Sequence, residues 1–140
     1  MPIMNVPSVQ AFVLAGSAFW NQRGYLDVTD LGADGMEVPS FPASGELRIV
    51  LILCSHPGEF SNVSLRIGTL QPGQTIDTTH EFLDDWPAPP ADYGFSTCRL
   101  TYSVSFTAYG PGTHGLVLFL AGEEETTRKI LFQVRGPSAG

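Results

Sequence analysis

From Arg99 to Thr107 the chain alternates without a break. Leu100, Tyr102, Val104 and Phe106 hold one parity; Arg99, Thr101, Ser103, Ser105 and Thr107 hold the other. A period of two sends successive side chains to opposite faces of a strand. Such a segment is stable only when its apolar face packs against a second layer. Several of them in one short chain imply antiparallel strands stacked as a sandwich or closed as a barrel.

Gly and Pro cut the rest of the chain into similar pieces. Strands are expected at Val9–Gly16, Gly24–Thr29, Glu46–Cys54, Asn62–Leu70, Thr75–Phe82, Phe95–Ala108, Thr113–Ala121 and Thr126–Arg135. Turns are expected at Asn21–Gly24, Asp34–Gly35, Ser55–Gly58, Gln71–Gln74, Tyr109–Gly112 and Gly122–Glu125, where Gly, Pro, Asn and Asp supply the needed dihedrals. Thr75–Phe82 is polar and reads as an edge strand. Asp84–Gly94 reads as irregular, with room for a helical turn around Glu81–Trp86. Residues 1–8 read as an N-terminal arm and 136–140 as a frayed tail of a single domain spanning 1–140. About eight strands suit an immunoglobulin-like antiparallel β-sandwich, with a jelly roll or small barrel as the alternative.

A chain of 140 residues, 43% hydrophobic, can bury a core without metal or disulfide staples. Its 14 acidic and 7 basic residues give a net charge of −7. That balance disfavours general binding to nucleic acid, which needs Lys and Arg against phosphate. It equally disfavours anionic membrane surfaces. No apolar run reaches the roughly 20 residues of a transmembrane helix. Val9–Trp20 has the composition of a signal-peptide core, but Arg23 is the first basic residue, so a strand is the better reading. The expected location is cytoplasmic, or the virion for a protein of phage origin.

Gly24-Tyr25-Leu26-Asp27-Val28, Asp30-Leu31-Gly32-Ala33, Val38-Pro39-Ser40-Phe41-Pro42-Ala43 and the closing Pro111-Gly112-Thr113-His114-Gly115-Leu116-Val117-Leu118 form a series over most of the chain. In these turn and core residues it resembles an uncharacterised bacterial immunoglobulin-like β-sandwich family, a domain of unknown function. The resemblance implies the fold and brings no catalytic residues with it.

Candidate chemistry is sparse. His56, His80 and His114 lack the local spacing of a zinc site. His80-Glu81 with Asp84 and Asp85 reads as a solvated acidic loop, since position 84 is not a second histidine. Asp27, Asp30 and Asp34 do not follow a calcium-loop pattern. Ser17 lacks the second glycine of a nucleophile elbow. No phosphate-binding glycine loop is present. Neither catalysis nor a cofactor is expected, and a loop-built hydrolase is the remote alternative.

If the fold is immunoglobulin-like, the strands at 46–54 and 95–108 run antiparallel side by side and bring Cys54 towards Cys98. A disulfide would need Cα atoms within about 7 Å; in a reducing cytosol both remain thiols.

Two strands are apolar on both faces. Val50 and Ile52 lie opposite the core parity of the strand at 46–54, and Val117 and Phe119 opposite that of the strand at 113–121. A sandwich needs one apolar face per strand, so something covers the other: a segment of the same chain, or a partner. The Pro-rich loop from Trp86 to Tyr93 combines a stiff backbone with amphipathic rings. It either crosses between sheets with Trp86 on the core, or stacks a glycan or small molecule. The expectation is a non-enzymatic protein-interaction or assembly module, self-associating or part of a bacterial or phage structure. Val50, Ile52, Val117, Phe119, Trp86 and Tyr93 are its candidate interface residues.

Overall fold

The computed structural model describes residues 7–20, 22–23, 26–29, 35–88, 92–120 and 123–136. The strands are β1 (Ser8–Ala15), β2 (Ser17–Trp20), β3 (Leu26–Thr29), β4 (Gly35–Glu37), β5 (Ala43–Ser55), β6 (Asn62–Gln71), β7 (Thr75–Asp85), β8 (Ser96–Ala108), β9 (Gly112–Leu120) and β10 (Glu123–Arg135). Two main sheets form, β1-β5-β8 and β4-β10-β9-β6-β7, with β2-β3 as a separate hairpin. Among the described residues, only the β4–β10 pairing is parallel. The fold is all-β and sandwich-like, and no helix among the described residues is long and apolar enough to cross a membrane.

The alternation in β8 does what its pattern requires. Leu100, Val104 and Phe106 are buried, and they meet Leu47, Ile49, Leu51 and Leu53 of β5 and Phe12 and Leu14 of β1 in one layer. Val63, Leu65 and Ile67 of β6, Leu116, Leu118 and Leu120 of β9, and Ile130, Phe132 and Val134 of β10 form the facing layer of the same cluster. Burying one such side chain stabilises by about 1.5–3 kcal/mol, so this layer is the main source of stability. His114 is also fully buried in it. Its ring packs edge-on to Phe106 and nearly parallel to Phe132, and its Nδ1 lies 3.1 Å from the Gly112 carbonyl.

The edge strands β7 and β8, which belong to different sheets, are joined by side chains. Tyr102 donates to Asp84 Oδ2, His80 Nε2 reaches the Ser105 carbonyl at 3.1 Å, and Trp86 Nε1 donates to Ser96 Oγ at 2.7 Å. Gln71, at the end of β6, donates to the Thr107 carbonyl at 2.6 Å. At the opposite side Arg128 donates to the Val9 carbonyl at 2.9 Å, tying β10 to β1.

Three local expectations are corrected. Gly35, expected to form a turn with Asp34, opens strand β4 instead, because pairing of Gly35–Glu37 with Gln133–Arg135 of β10 supplies backbone partners. Asp84 and Asp85 extend β7 instead of forming an acidic loop or helical turn, opposite Val63 and Asn62. The alternation turns Asp84 inward to the Tyr102 phenol and leaves Asp85 outward, which makes two consecutive carboxylates tolerable there. Ser17–Trp20 is a strand of its own, paired with Leu26–Thr29. Asp30, Leu31–Asp34, most of the N-terminal arm and most of the C-terminal tail lie outside the described residues, as does the hairpin tip at 121–122.

Candidate interaction surface on the five-stranded sheet

The two doubly apolar strands have different surroundings. On the outer face of the three-stranded sheet, Val50 is buried with Ala15 and Ala18, and Val13 and Ile52 pack against them. The β2-β3 hairpin therefore brings Ala18 over this face, and the chain supplies its own cover.

On the outer face of the five-stranded sheet, Val117 and Phe119 cluster with Leu70. They are only 1% and 7% exposed although they point away from the core. Two glycines in strand interiors explain how. A Cβ on Gly68 would lie 3.1 Å from Val117 Cγ1 and 3.3 Å from Phe119 Cε2. A Cβ on Gly115 would lie 3.1 Å from Leu131 Cδ2 and 3.3 Å from Leu70 Cδ1. Neighbouring side chains thus lie flat over the bare backbone and bury one another. The Arg66 guanidinium sits 4.7 Å above the Phe119 ring, a cation–π contact that covers the ring; Arg66 is half-buried, and its Nε is buried without a hydrogen-bond partner among the described residues.

Around this base stand large apolar side chains that remain in solvent. Leu131 on β10 is 52% exposed, Ile76 on β7 is 47% exposed and Leu83 on β7 is 73% exposed. Pairing sets Leu131 opposite Gly115, Gly115 opposite Leu70, and Leu70 opposite Ile76. One row across four adjacent strands, β10, β9, β6 and β7, is therefore apolar. Leu131, Ile76 and Leu83 were not singled out in the sequence. Two of them carried a signal: Leu131 shares its parity with Lys129 and Gln133, and Leu83 with Glu81 and Asp85. Ile76 has the parity of the inward Phe82, and only the register shift between Thr69 and Leu70 turns it outward. Interior glycines at positions 68 and 115 also mark a close approach.

The other candidate residues do not converge with this face. Trp86 is buried, stacked obliquely on Phe60 at 5.4 Å and hydrogen-bonded to Ser96, so its ring seals the core. Tyr93 is exposed and pairs with Phe95 at 5.7 Å between centroids. Cys54 and Cys98 are free thiols. Cys98 pairs in register with Leu53, and Cys54 with Thr97, so the two sulfurs lie on opposite faces and the disulfide is not made. Burial, and secondarily the Asp84 charge, push the Cys98 thiol up to about 11, which makes it a poor nucleophile.

His56, His80 and His114 are dispersed over a turn, β7 and β9, and no three His, Cys, Asp or Glu side chains gather among the described residues. The clefts are open and at the rims of the sandwich. One of about 390 Å³ has Leu14, Met36, Leu47 and Phe132 in its wall; another, of about 510 Å³, is lined by Cys54, His56, Glu59 and Phe95. In the latter Glu59 accepts from the His56 backbone N–H at 3.2 Å, a turn-stabilising bond. No protein-family model matches the chain, and no curated protein is found similar to it.

Proposed function

We propose that this chain is a non-enzymatic, immunoglobulin-like interaction module that binds protein through the outer face of its five-stranded sheet. The observation that carries the reading is the apolar row of Leu131, Gly115, Leu70 and Ile76 across four adjacent strands. Exposed apolar area gathered on one rigid face marks a contact surface better than the same residues scattered. Sheet order supports the fold assignment. With β5 and β8 as neighbours in one sheet and β10-β9-β6-β7 in the other, the connections match the immunoglobulin plan of strands B and E against G, F, C and C′.

The test compares the wild type with Leu131→Asp and with Thr101→Asp on the opposite sheet. Association is followed by light scattering of the purified chain and by co-purification from the cells that make it. The reading expects association to be lost in Leu131→Asp and kept in Thr101→Asp. Undiminished association by a folded Leu131→Asp variant would overturn it.

A second reading, binding of a glycan or small aromatic-stacking ligand, is favoured by the exposed Tyr93–Phe95 pair, since Phe95 also lines the 510 Å³ cleft. Titration of a glycan panel against Tyr93→Ala distinguishes it.

A further inference from the structure

We infer that the free edge of β7 takes a sixth strand: an extended segment of a partner protein in which an apolar residue stands between two basic ones at alternate positions, basic-x-apolar-x-basic. This contact lies beside the apolar row of the outer face and does not depend on it.

The backbone is the first ground. β7 ends the five-stranded sheet, and from residue 78 to residue 85 its register with β6 is unbroken. Among the described residues, the backbone of residues 79–84 makes no hydrogen bond outside that ladder. An edge strand of this length presents a row of N–H and C=O groups as a template for another strand. β8, the edge strand of the other sheet on the same side, is treated differently. Its Ser105 and Thr107 carbonyls are met by the side chains of His80 and Gln71.

Side chains set what the added strand carries. Glu81, Leu83 and Asp85 share the outward parity of β7, and all three are exposed. In a sheet each side chain is stabilised by its neighbours on the adjacent strands. Across the β6 pairing these three meet Arg66, Ser64 and Asn62. Ser64 gives Leu83 no apolar neighbour, and Asn62 gives Asp85 no charge. The Arg66 guanidinium lies over Phe119 of β9, on the side of β6 away from β7. The missing neighbours belong on the free side of β7: an apolar side chain beside Leu83, and a Lys or Arg beside each carboxylate.

Charge also decides against a second copy at this edge. β7 contains Asp77, Glu81, Asp84 and Asp85 and neither Lys nor Arg. Two β7 edges paired antiparallel about Leu83 would set Glu81 against Asp85 twice, and like charges directly opposite are destabilising. The acids guard the edge against self-pairing and at the same time favour a basic strand. Because the motif reads the same in both directions, it fits parallel and antiparallel addition alike.

The probe is the end-blocked peptide Thr-Thr-Lys-Thr-Ile-Thr-Lys-Thr-Thr, in which Thr keeps the chain extended and soluble. It is titrated into the isotopically labelled protein and followed by backbone amide NMR. Saturable binding is expected, with the largest shifts and slowed hydrogen exchange at residues 79–85. The same peptide N-methylated at its three central residues keeps its charge, loses its donors and is expected not to bind. Glu81→Lys/Asp85→Lys, at exposed positions, is expected to weaken the Lys peptide by about tenfold and to bind the peptide carrying Glu in place of both Lys. No saturable binding at millimolar peptide, or equal binding of the N-methylated peptide, overturns strand addition. Binding undiminished by the double reversal overturns the basic motif. Shifts centred on Leu131 overturn β7 as the site and leave the outer-face reading standing. Leu131→Asp is expected to bind the Lys peptide like the wild type, so a failure of the outer-face reading leaves this test intact.

Discussion

Tyr102 on β8 donates its phenolic proton to Asp84 Oδ2 on β7, and so closes one side of the sandwich between edge strands of different sheets. The Tyr102 ring also stacks on Phe82 at 4.0 Å. Burial, reinforced by the bond to Asp84 and by its charge, raises the phenol well above its ordinary value of 10. Cys98, beside the same carboxylate, is raised from 9.0 to about 11. Both groups are neutral when protonated. Between about pH 9 and 11 the unfolded chain therefore loses protons that the native chain keeps, and stability falls as pH rises. The thermal midpoint is expected to be flat from pH 7 to 8.5 and to decline above pH 9. Tyr102→Phe is expected to lower the midpoint at pH 7 and to flatten the decline. An alkaline slope identical in Tyr102→Phe and wild type would show that the Tyr102 phenol does not contribute to it.

How much of this was legible varies by element. Strand β8 could be read because its inward residues are almost all apolar and its outward ones all polar, so local pattern and tertiary environment agree. β4 could not be read, because three residues carry no periodicity and the parallel partner β10 lies about a hundred positions away. Parity alone revealed that Val50 and Val117 face away from the core. It was silent on what covers them, since that depends on where Ala18 and Leu70 are carried by the fold. For Cys54 and Cys98, proximity along the paired strands was correctly inferred, yet a one-residue offset in register reverses the face. Trp86 illustrates the same limit: its indole N–H needed a partner, and Ser96 is ten residues on, beyond a Pro-rich loop whose path has no sequence signature.

Gly115 and Gly68 should differ in their tolerance of a methyl group. At Gly115 an added Cβ would lie 2.7 Å from the Ile130 carbonyl oxygen, which is ladder backbone and cannot move without opening the β9–β10 pairing. At Gly68 the nearest atoms belong to the side chains of Val117, Phe119 and Ile76, which can shift by tenths of an ångström. Gly115→Ala is expected to cost about 1–3 kcal/mol and Gly68→Ala distinctly less, both measured by urea unfolding. Equal costs would mean that side-chain crowding, rather than the backbone clash, sets the penalty.

Trp86→Phe keeps an aromatic ring against Phe60 and removes only the indole donor and part of the ring area. Ser96 Oγ is then left buried without the Trp86 N–H. A loss of about 1–3 kcal/mol follows from an unmade buried hydrogen bond. Trp86→Phe/Ser96→Ala removes both partners and is expected to regain part of that loss in a double-mutant cycle. Strict additivity of the two substitutions would show that the 2.7 Å bond carries no coupling energy.

Phe119 and Leu131 separate packing from recognition on one face. Phe119 was a natural choice for breaking an interface from its parity, but its ring is held against Gly68 and under Arg66. Phe119→Asp is therefore expected to destabilise the isolated domain by about 3–5 kcal/mol through lost packing, with the nearby guanidinium offsetting only part of the cost of the carboxylate. Leu131 stands half in solvent, and Leu131→Asp is expected to change the unfolding free energy by no more than about 0.5–1 kcal/mol while abolishing association. Chemical unfolding and light scattering on the same two preparations decide the matter. If Leu131→Asp unfolds the domain as readily as Phe119→Asp, the exposed row belongs to the fold itself, and a contact surface must be sought elsewhere, first at Tyr93 and Phe95.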